Sequence, residues 1–295
     1  MIKKYIKMLF QKYLSDYAYN VGIYNYRRVM YGYAPRIPNI ENPRTLNEKI
    51  LHLKMYYRHP KASIIADKYA VRSYVSEKWG DDILIPLYGV YSDPESIKLS
   101  VLPEVFVAKP NHASGMILFC NRAGIRFDEM VRTMRGWLSI DYGELGREYQ
   151  YVGIERKILL EKDLRVEAGV SDICDYKIFC FGGEPTFIQF DQGRFSGHTR
   201  SIFDLEWNRL PFSMAYPTSN ASVEKPANLA RMIEIASTLS KDLPLARVDL
   251  YNLKGKIYFG EITLHPGGGV LPFDPEIFDG LLGAELDLPK NMREN

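Results

Sequence analysis

Residues 245–270 read LARVDLYNLKGKIYFGEITLHPGGGV, and two apolar runs in that stretch, Leu245–Tyr251 and Ile257–Thr263, flank the turn signal Asn252-Leu253-Lys254-Gly255. Such runs around a glycine turn predict a β-hairpin. Arg247, Asp249 and Glu261 interrupt strands that are otherwise largely Leu, Val, Tyr, Ile and Phe, and His265 and Gly267-Gly268-Gly269 follow. Side chains alternate faces along a strand, so Asp249 and Glu261 share a face only if opposed residue numbers sum to an even value. A three-residue loop, Leu253-Lys254-Gly255, gives that register, with glycine at the position that needs φ > 0. Asn252 then opposes Lys256, Asp249 opposes Phe259 and Glu261 opposes Arg247. Two carboxylates on one face with an arginine between them suit one or two Mg²⁺ ions, hard cations that take carboxylate oxygens and share substrate phosphates. A solvated sheet face carrying an ordinary cross-strand ion pair would look the same in the hairpin alone.

Working back along the chain, a second hairpin is expected from Tyr176–Phe181, the turn Gly182-Gly183-Glu184-Pro185 and Thr186–Asp191. Lys177 lies inside it, and a buried ammonium is costly without an anionic partner such as a ligand phosphate. A strand over Thr199–Asp204 follows Arg194 and His198, and Leu229, Ile233, Ala236 and Ser240 mark a helix leading to the last hairpin. Further upstream, Val105–Pro110 reads as a strand ending on Lys109, followed by the small polar loop Asn111–Gly115 and a returning strand, Met116–Cys120. Such a loop can present backbone N–H groups to phosphate oxygens, with Lys109 adding a charge, or it can be a plain hairpin with an exposed lysine. Phe127, Val131, Met134 and Leu138 form a core stripe on a helix. Ile158–Glu161 is a strand running into Lys162-Asp163-Leu164; its terminal acid could bond an adenine amine or be a routine edge residue. Thr45-Leu46-Asn47-Glu48 fits a capping box opening a helix to about Tyr57. A second helix is expected over Asp67–Trp79 and a buried strand over Ile83–Val90.

At 295 residues the chain can bury a large core and divide into lobes. Composition, 46% hydrophobic and 25% charged, is that of a globular protein, and no apolar run is long enough to span a bilayer. Cys120, Cys174 and Cys180 are odd in number and lack metal-ligand spacing, which fits a reducing, cytoplasmic compartment. The net charge of +2 is uneven: residues 1–36 hold seven lysines and arginines against Asp16 alone. So balanced a body does not indicate a duplex-binding surface, and no nucleic-acid partner is expected. Ile2, Ile6, Leu9, Phe10, Tyr13 and Leu14 share one helical face, with the lysines largely off it. Residues 1–20 therefore read either as a helix docked on the body or as a peripheral contact with an anionic membrane, at its inner face.

The order of these features resembles the ATP-grasp superfamily and, more narrowly, its TupA-like family, named for teichuronopeptide synthesis. The phrases RTLNEKILHLK, DKYAVRSYV, FVAKPNHASG, DYKIFCFGGEPTFIQFD, HTRSIFDLEWNRLPF and RVDLYNLKGKIYFGEITLHPGGG carry the likeness over roughly residues 40–280. The resemblance implies an α+β, ATP-grasp fold in which two α/β lobes clasp a nucleotide, with an antiparallel sheet in the C-terminal lobe. Its divisions would be a helical segment at 1–44, a small lobe at 45–95, a subdomain with phosphate loop and hinge at 96–163, and a subdomain with the metal site at 164–295. It further implies that Lys109 and Lys177 hold phosphates, that the loop with Asn111, His112, Ser114 and Gly115 closes over them, and that Glu161, Lys162 and Leu164 form the adenine hinge. Asp249 and Glu261, with Thr263, would hold Mg²⁺. Arg247 would stabilise the transferring group, and His265, Gly267, Gly268 and Gly269, with Arg200, would contact the acceptor. Two departures stand out: Thr263 occupies a place where asparagine is common, and Ala113 one where glycine is usual.

The implied chemistry is ATP-dependent joining of a carboxylate to an amine through an acyl phosphate. The family likeness points to a carboxylate-bearing saccharide or acidic peptide of a bacterial surface polysaccharide as one substrate, and a small-molecule amine as the other. The alternatives are a phosphotransferase acting on a hydroxyl and a glycan-binding or glycosyltransferase component that uses no ATP.

Overall fold

The computed structural model describes residues 14–290 apart from positions 195 and 220. The amphipathic helix expected at residues 2–14 therefore falls outside the described residues save for Leu14. The described chain opens with α1 (Asp16–Met30), capped by Ser15, and α2 (Leu46–Tyr56). Thr45 accepts from the Glu48 N–H while Glu48 accepts from the Thr45 N–H, which is the capping box expected there. Two short helices follow, α3 (Ala62–Ala66) and α4 (Val71–Lys78). The single helix expected from Asp67 starts later because Asp67 Oδ1 accepts from the N–H groups of Tyr69 and Ala70 and closes a turn there.

Strands β1 (Leu87–Tyr91), β2 (Val105–Pro110), β3 (Leu118–Asn121) and β4 (Ile158–Glu161) form an antiparallel sheet in the order β1-β4-β2-β3. Helix α5 (Phe127–Leu138) covers one face, laying Met130 and Met134 on Phe106, Ile158 and Leu160. Here the expected lobe at 45–95 is corrected. β1 is the edge strand of this sheet, whereas α2, α3 and α4 pack on the C-terminal sheet. A lone strand has no partner within that segment, so its backbone groups are satisfied by β4 instead.

After the short helices α6 (Tyr142–Gly146) and α7 (Leu164–Ala168) comes the larger sheet. It is built from β5 (Asp175–Phe181), β6 (Glu184–Gln192) and β7 (Thr199–Phe203), then β9 (Leu245–Leu253) and β10 (Lys256–Thr263). Between them lie β8 (Ser213–Met214) and α8 (Leu229–Ser240), and after them β11 (Phe273–Asp274) and α9 (Ile277–Glu285). The order is β10-β9-β5-β6-β7, every pair antiparallel. One face, with Ile178, Ile188, Val248 and Ile262, is covered by α8, α3 and α4. The opposite face is divided. Phe179, Phe181, Phe187, Ile202 and Leu245 pack beneath α2 and α9, and the other half is charged.

The last hairpin closes differently from the expected register. Leu253 pairs with Lys256 across a two-residue turn in which Lys254 (φ 52°) and Gly255 (φ 87°) are both left-handed. That register alone would put Asp249 and Glu261 on opposite faces. A bulge between Phe259 and Glu261 shifts the pairing by one, so Glu261 lies directly opposite Asp249 and Thr263 opposite Arg247. Gly260 sits in the bulge, where a Cβ would stand 3.0 Å from the Asp249 carbonyl oxygen. The two carboxylates share a face, as expected, but by a different route.

Candidate active site

The charged half of the large sheet is a continuous ladder. Register places Glu261 beside Asp249, Asp249 beside Lys177, and Lys177 beside Gln189. Lys177 Nζ lies 2.5 Å from Asp249 Oδ2 and 3.2 Å from Asp175 Oδ1. Arg247 grips the same aspartate in a fork, Nε to Oδ1 at 2.7 Å and Nη2 to Oδ2 at 2.8 Å. Arg247 Nη2 also donates to Thr263 Oγ1 at 3.1 Å and reaches Glu261 Oε1 at 3.4 Å. Burial disfavours charge on Glu261, but Lys68, Arg247, Lys177 and Lys109 together outweigh it and hold its carboxyl down at about 2. With a side chain still 31% exposed, it is the open member of the ladder.

Next to the ladder, where Asp175, Arg194 and Tyr251 come up to the small sheet, lies a cleft. Val107, Phe119, Ile85, Ile117 and Leu164 give it apolar walls, while Lys109, Glu161, Asp175 and Arg194 supply charge. Lys109 Nζ sits 2.6 Å from Glu161 Oε2, the two residues rising from neighbouring strands β2 and β4. Lys162 donates its N–H to the Pro86 carbonyl and pairs with Glu167. Asp163 caps α7, and Leu164 turns inward. The expected hinge residues thus line one wall of the cleft, with Glu161 committed to Lys109.

Several expected contacts are not free. Asn111, fully buried, donates Nδ2–H to the Glu155 carbonyl at 2.9 Å and accepts from the Lys157 N–H at 2.7 Å. His112, also buried, lies 3.2 Å from the Ile140 carbonyl. Both side chains tie the loop to the 138–157 segment, which leaves Ser114 and Gly115 as its exposed tip. Arg200 gives a two-pronged grip to Asp191 (2.7 and 3.0 Å) and a further bond to the Met214 carbonyl. Thr263 Oγ1 accepts from Arg247 and bonds Glu261.

Of the three glycines, Gly267 and Gly269 serve close packing: a Cβ would stand 2.2 Å from Leu271 Cγ in the first case and 2.7 Å from the Asn47 carbonyl in the second. At Gly268 a Cβ would meet only Glu148 Oε1, at an ordinary contact distance of 3.8 Å. His265 is 5% exposed, and burial, reinforced by the charges of Lys54 and Arg58, pushes its pKa down to about 3. It is a neutral ring, so it offers no charge to an acceptor carboxylate. Cys120 and Cys180 are buried, with their thiols pushed up to about 12, and neither serves as a nucleophile.

Lys68 was missed by the sequence reading. It projects from the α3–α4 turn, donates Nζ–H to the Ala113 carbonyl at 2.6 Å, and lies 3.7 Å from Glu261 Oε2. Its backbone N–H bonds the Asn111 carbonyl, so one residue joins the loop to the open carboxylate. A lysine beside an aspartate turn in DKYAVRSYV was the available signal, and its distance in sequence from Glu261 concealed the contact.

Among the described residues no group of three or more His, Cys, Asp or Glu is arranged for a metal. The donor chemistry nevertheless fits a hard divalent cation: Glu261 is ionised and open, and Asp249 stands directly across from it with Oδ1 accepting, among the described residues, from Arg247. Basic side chains neutralise both carboxylates in the arrangement seen.

Two antiparallel sheets thus meet at a cleft, with Lys109 on one, Lys177 on the other and the Asp249–Glu261 pair beside it. A family model described as TupA-like ATPgrasp matches residues 48–287, and the chain belongs to that family. A search of curated proteins finds no match. Among solved structures, a D-alanine–D-alanine ligase from Bacillus anthracis complexed with ATP is 18% identical, with 69% of this chain and 55% of that one covered and a TM-score of 0.41. The corresponding enzyme from Helicobacter pylori is 14% identical (84% and 70% covered, TM-score 0.45). An L-amino acid ligase from Bacillus licheniformis is 16% identical (81% and 54% covered, TM-score 0.46). The match spans little more than half of the first and third of these chains, and likenesses this distant do not bear on substrate or reaction.

Proposed function

We propose that the protein is an ATP-dependent ligase that joins a carboxylate to an amine through an acyl phosphate. The observation that carries this reading is the ladder Glu261–Asp249–Lys177 with Arg247, joined to the cleft through Asp175 and within reach of the Lys109 charge. ATP would lie between the sheets, its base against Val107, Phe119 and Leu164 and its phosphates toward Lys109 and Lys177. Asp249 and Glu261 would hold Mg²⁺, which supplies charge neutralisation at the phosphate oxygens. Arg247 is fixed by Asp249 so that its guanidinium needs no reorganisation to meet an incoming anion. Lys68 would report closure of the Ser114–Gly115 tip to Glu261, and a closed loop would keep water from the acyl phosphate. By family, the carboxylate belongs to a saccharide or acidic peptide of a bacterial surface polymer and the amine to an amino acid.

A thermal-shift titration tests the nucleotide site. A ligand that binds the native state alone raises the midpoint with concentration. ATP with Mg²⁺ should raise it, ATP alone should raise it less, and Asp249→Ala should abolish the metal-dependent part. Phosphate release that requires both a uronic acid and an amino acid then marks a ligase. A stable phosphorylated product instead marks a phosphotransferase. No shift at millimolar nucleotide would sink both.

A further inference from the structure

Beside the ladder, the glycine turn meets a second polar wall that the phosphate chemistry does not use. Glu148, just after α6, accepts from Gln150 Nε2 at 3.0 Å through Oε2. Its Oε1 takes no hydrogen bond from the described residues and faces Gly268, where a Cβ would stand 3.8 Å away. Gly268 in turn donates its N–H to the carbonyl of His265. Two side chains on this wall are more than nine-tenths buried yet keep an unpartnered polar atom, His265 Nδ1 and Gln150 Oε1. Buried polar atoms are ordinarily satisfied, so two orphans beside one open carboxylate oxygen call for a ligand.

The chemistry of the wall selects that ligand. A carboxylate oxygen and an amide oxygen only accept hydrogen bonds here, and a neutral imidazole has one accepting nitrogen. An ammonium group brings three donors and one positive charge, the complement of that set. Lys54, whose charge acts on Glu148, donates to Asn20 Oδ1 at 2.9 Å and makes no hydrogen bond or close ion pair with Glu148 among the described residues, so the open oxygen keeps room for a second donor. The wall also connects to the reacting centre. Tyr142 and Tyr151 pack edge to face at 4.9 Å, and burial, then the charges of Glu148 and Glu261, raise the pKa of both. The tyrosine pair therefore spans the ground between the two carboxylates.

We propose that Glu148, with Gln150 and His265 behind it and Gly268 opposite, is the subsite for the ammonium group of a small primary amine or amino acid. This rests on the ligase reading and adds to it the anchor for the amine partner. Gly268 suits the position because its φ of 65° is left-handed and a side chain beyond Cβ, which would itself stand 3.8 Å from Oε1, would crowd the space in front of that oxygen.

The test is a thermal-shift series on the full chain with Mg²⁺ and a non-hydrolysable ATP analogue present. The common amino acids, ethanolamine and putrescine are added singly at millimolar concentration, each beside its N-acetylated form. At least one primary amine should raise the midpoint above nucleotide alone, and its acetylated form should not. Glu148→Gln, which can still accept from Gln150, should keep the nucleotide increment and weaken amine affinity about tenfold or more. An amine increment unchanged in Glu148→Gln, or none from any primary amine in a chain that binds nucleotide, overturns the subsite. Loss of the nucleotide increment in the wild type overturns the ligase reading and this inference with it.

Discussion

One face of the large sheet carries two unlike halves on the same strands. On β5, Lys177 and Phe179 are neighbours on that face; on β9, Asp249 and Arg247 are, and Phe179 pairs with Arg247 across the boundary. On one side of that line Phe179 stacks on Phe187 at 4.3 Å and the cluster continues under α2 and α9. On the other side every strand contributes a polar or charged group: Glu261, Asp249, Lys177, Gln189 with Asp191, and Arg200. Burying an aromatic or leucine side chain contributes about 1.5–3 kcal/mol. A buried ion pair is at best near neutral against an apolar replacement of the same volume. The apolar half holds the sheet to its helices, and the charged half is retained for what it does to a ligand.

The sharpest way to break this contrast is to remove one charge. Lys177→Ala leaves Asp175 and Asp249 buried with less compensation, so stability should fall by about 3 kcal/mol. Turnover should fall by about 10²–10³-fold or more, since a donor fixed toward phosphate is lost. Denaturant melts and ATP-turnover assays read the two effects separately. The triple change Lys177→Met, Arg247→Met, Asp249→Leu should recover most of the stability and none of the activity. A triple variant as unstable as Lys177→Ala would show that the ladder holds the fold as well.

The converse change is Phe187→Ala in the apolar half. Losing a ring stacked on Phe179 should cost about 3–4 kcal/mol. The protein that remains folded should bind Mg·ATP with unchanged affinity, because the ring packs on Phe179, Phe181 and Phe212 in the apolar half. A weakened nucleotide increment in thermal shift would mean that the two halves are coupled across the Phe179–Arg247 boundary.

How far each half could be read in advance follows from the same contrast. The apolar strands and helix stripes were visible as periodicity, and the Thr45 capping box as a four-residue pattern. The ATP-grasp architecture with its α+β sheets followed from the order of phrases. The hairpin register was misread because a period of two is blind to a single bulge. Gly260 inserts one residue, and a two-residue turn makes up the difference, so Asp249 and Glu261 still meet. Polar residues were legible as types but not as partners. Asn111, His112 and Arg200 looked like ligand contacts, yet the carbonyls of Glu155, Ile140 and Met214 and the carboxylate of Asp191 claim them. Which backbone groups arrive beside a side chain is decided by tertiary packing, and Lys68 was hidden for the same reason.

His265 marks a third kind of position, polar but kept neutral by burial. Its ring titrates at about 3 in the fold and near the ordinary 6.5 when unfolded. The unfolded chain therefore binds the extra proton first as pH falls, and stability contributed above about pH 6.5 is lost toward pH 3. Wild type should lose about 1.4 kcal/mol per pH unit more than His265→Gln between about pH 6 and pH 4. Parallel stability curves in urea melts across that range would instead place the ring in contact with water.

The smallest expected effect decides what the ladder offers a metal. Thr263 Oγ1 accepts from Arg247 and bonds Glu261 Oε1 at 3.3 Å, so it orients two groups that meet the ligand without meeting it itself. Thr263→Val keeps the shape and removes those bonds. Outer groups of this kind typically cost about tenfold when lost. The apparent Mg²⁺ requirement should therefore rise by about tenfold, with ATP affinity in saturating metal unchanged. If Thr263 were a direct ligand, its loss would also change which metals support turnover, because a hydroxyl oxygen would leave the coordination sphere. A Mn²⁺-to-Mg²⁺ activity ratio that is the same in wild type and Thr263→Val supports two carboxylates as the protein's metal donors. A ratio that shifts would return Thr263 to the metal and make Arg247, its other partner, the group that gives way when the nucleotide arrives.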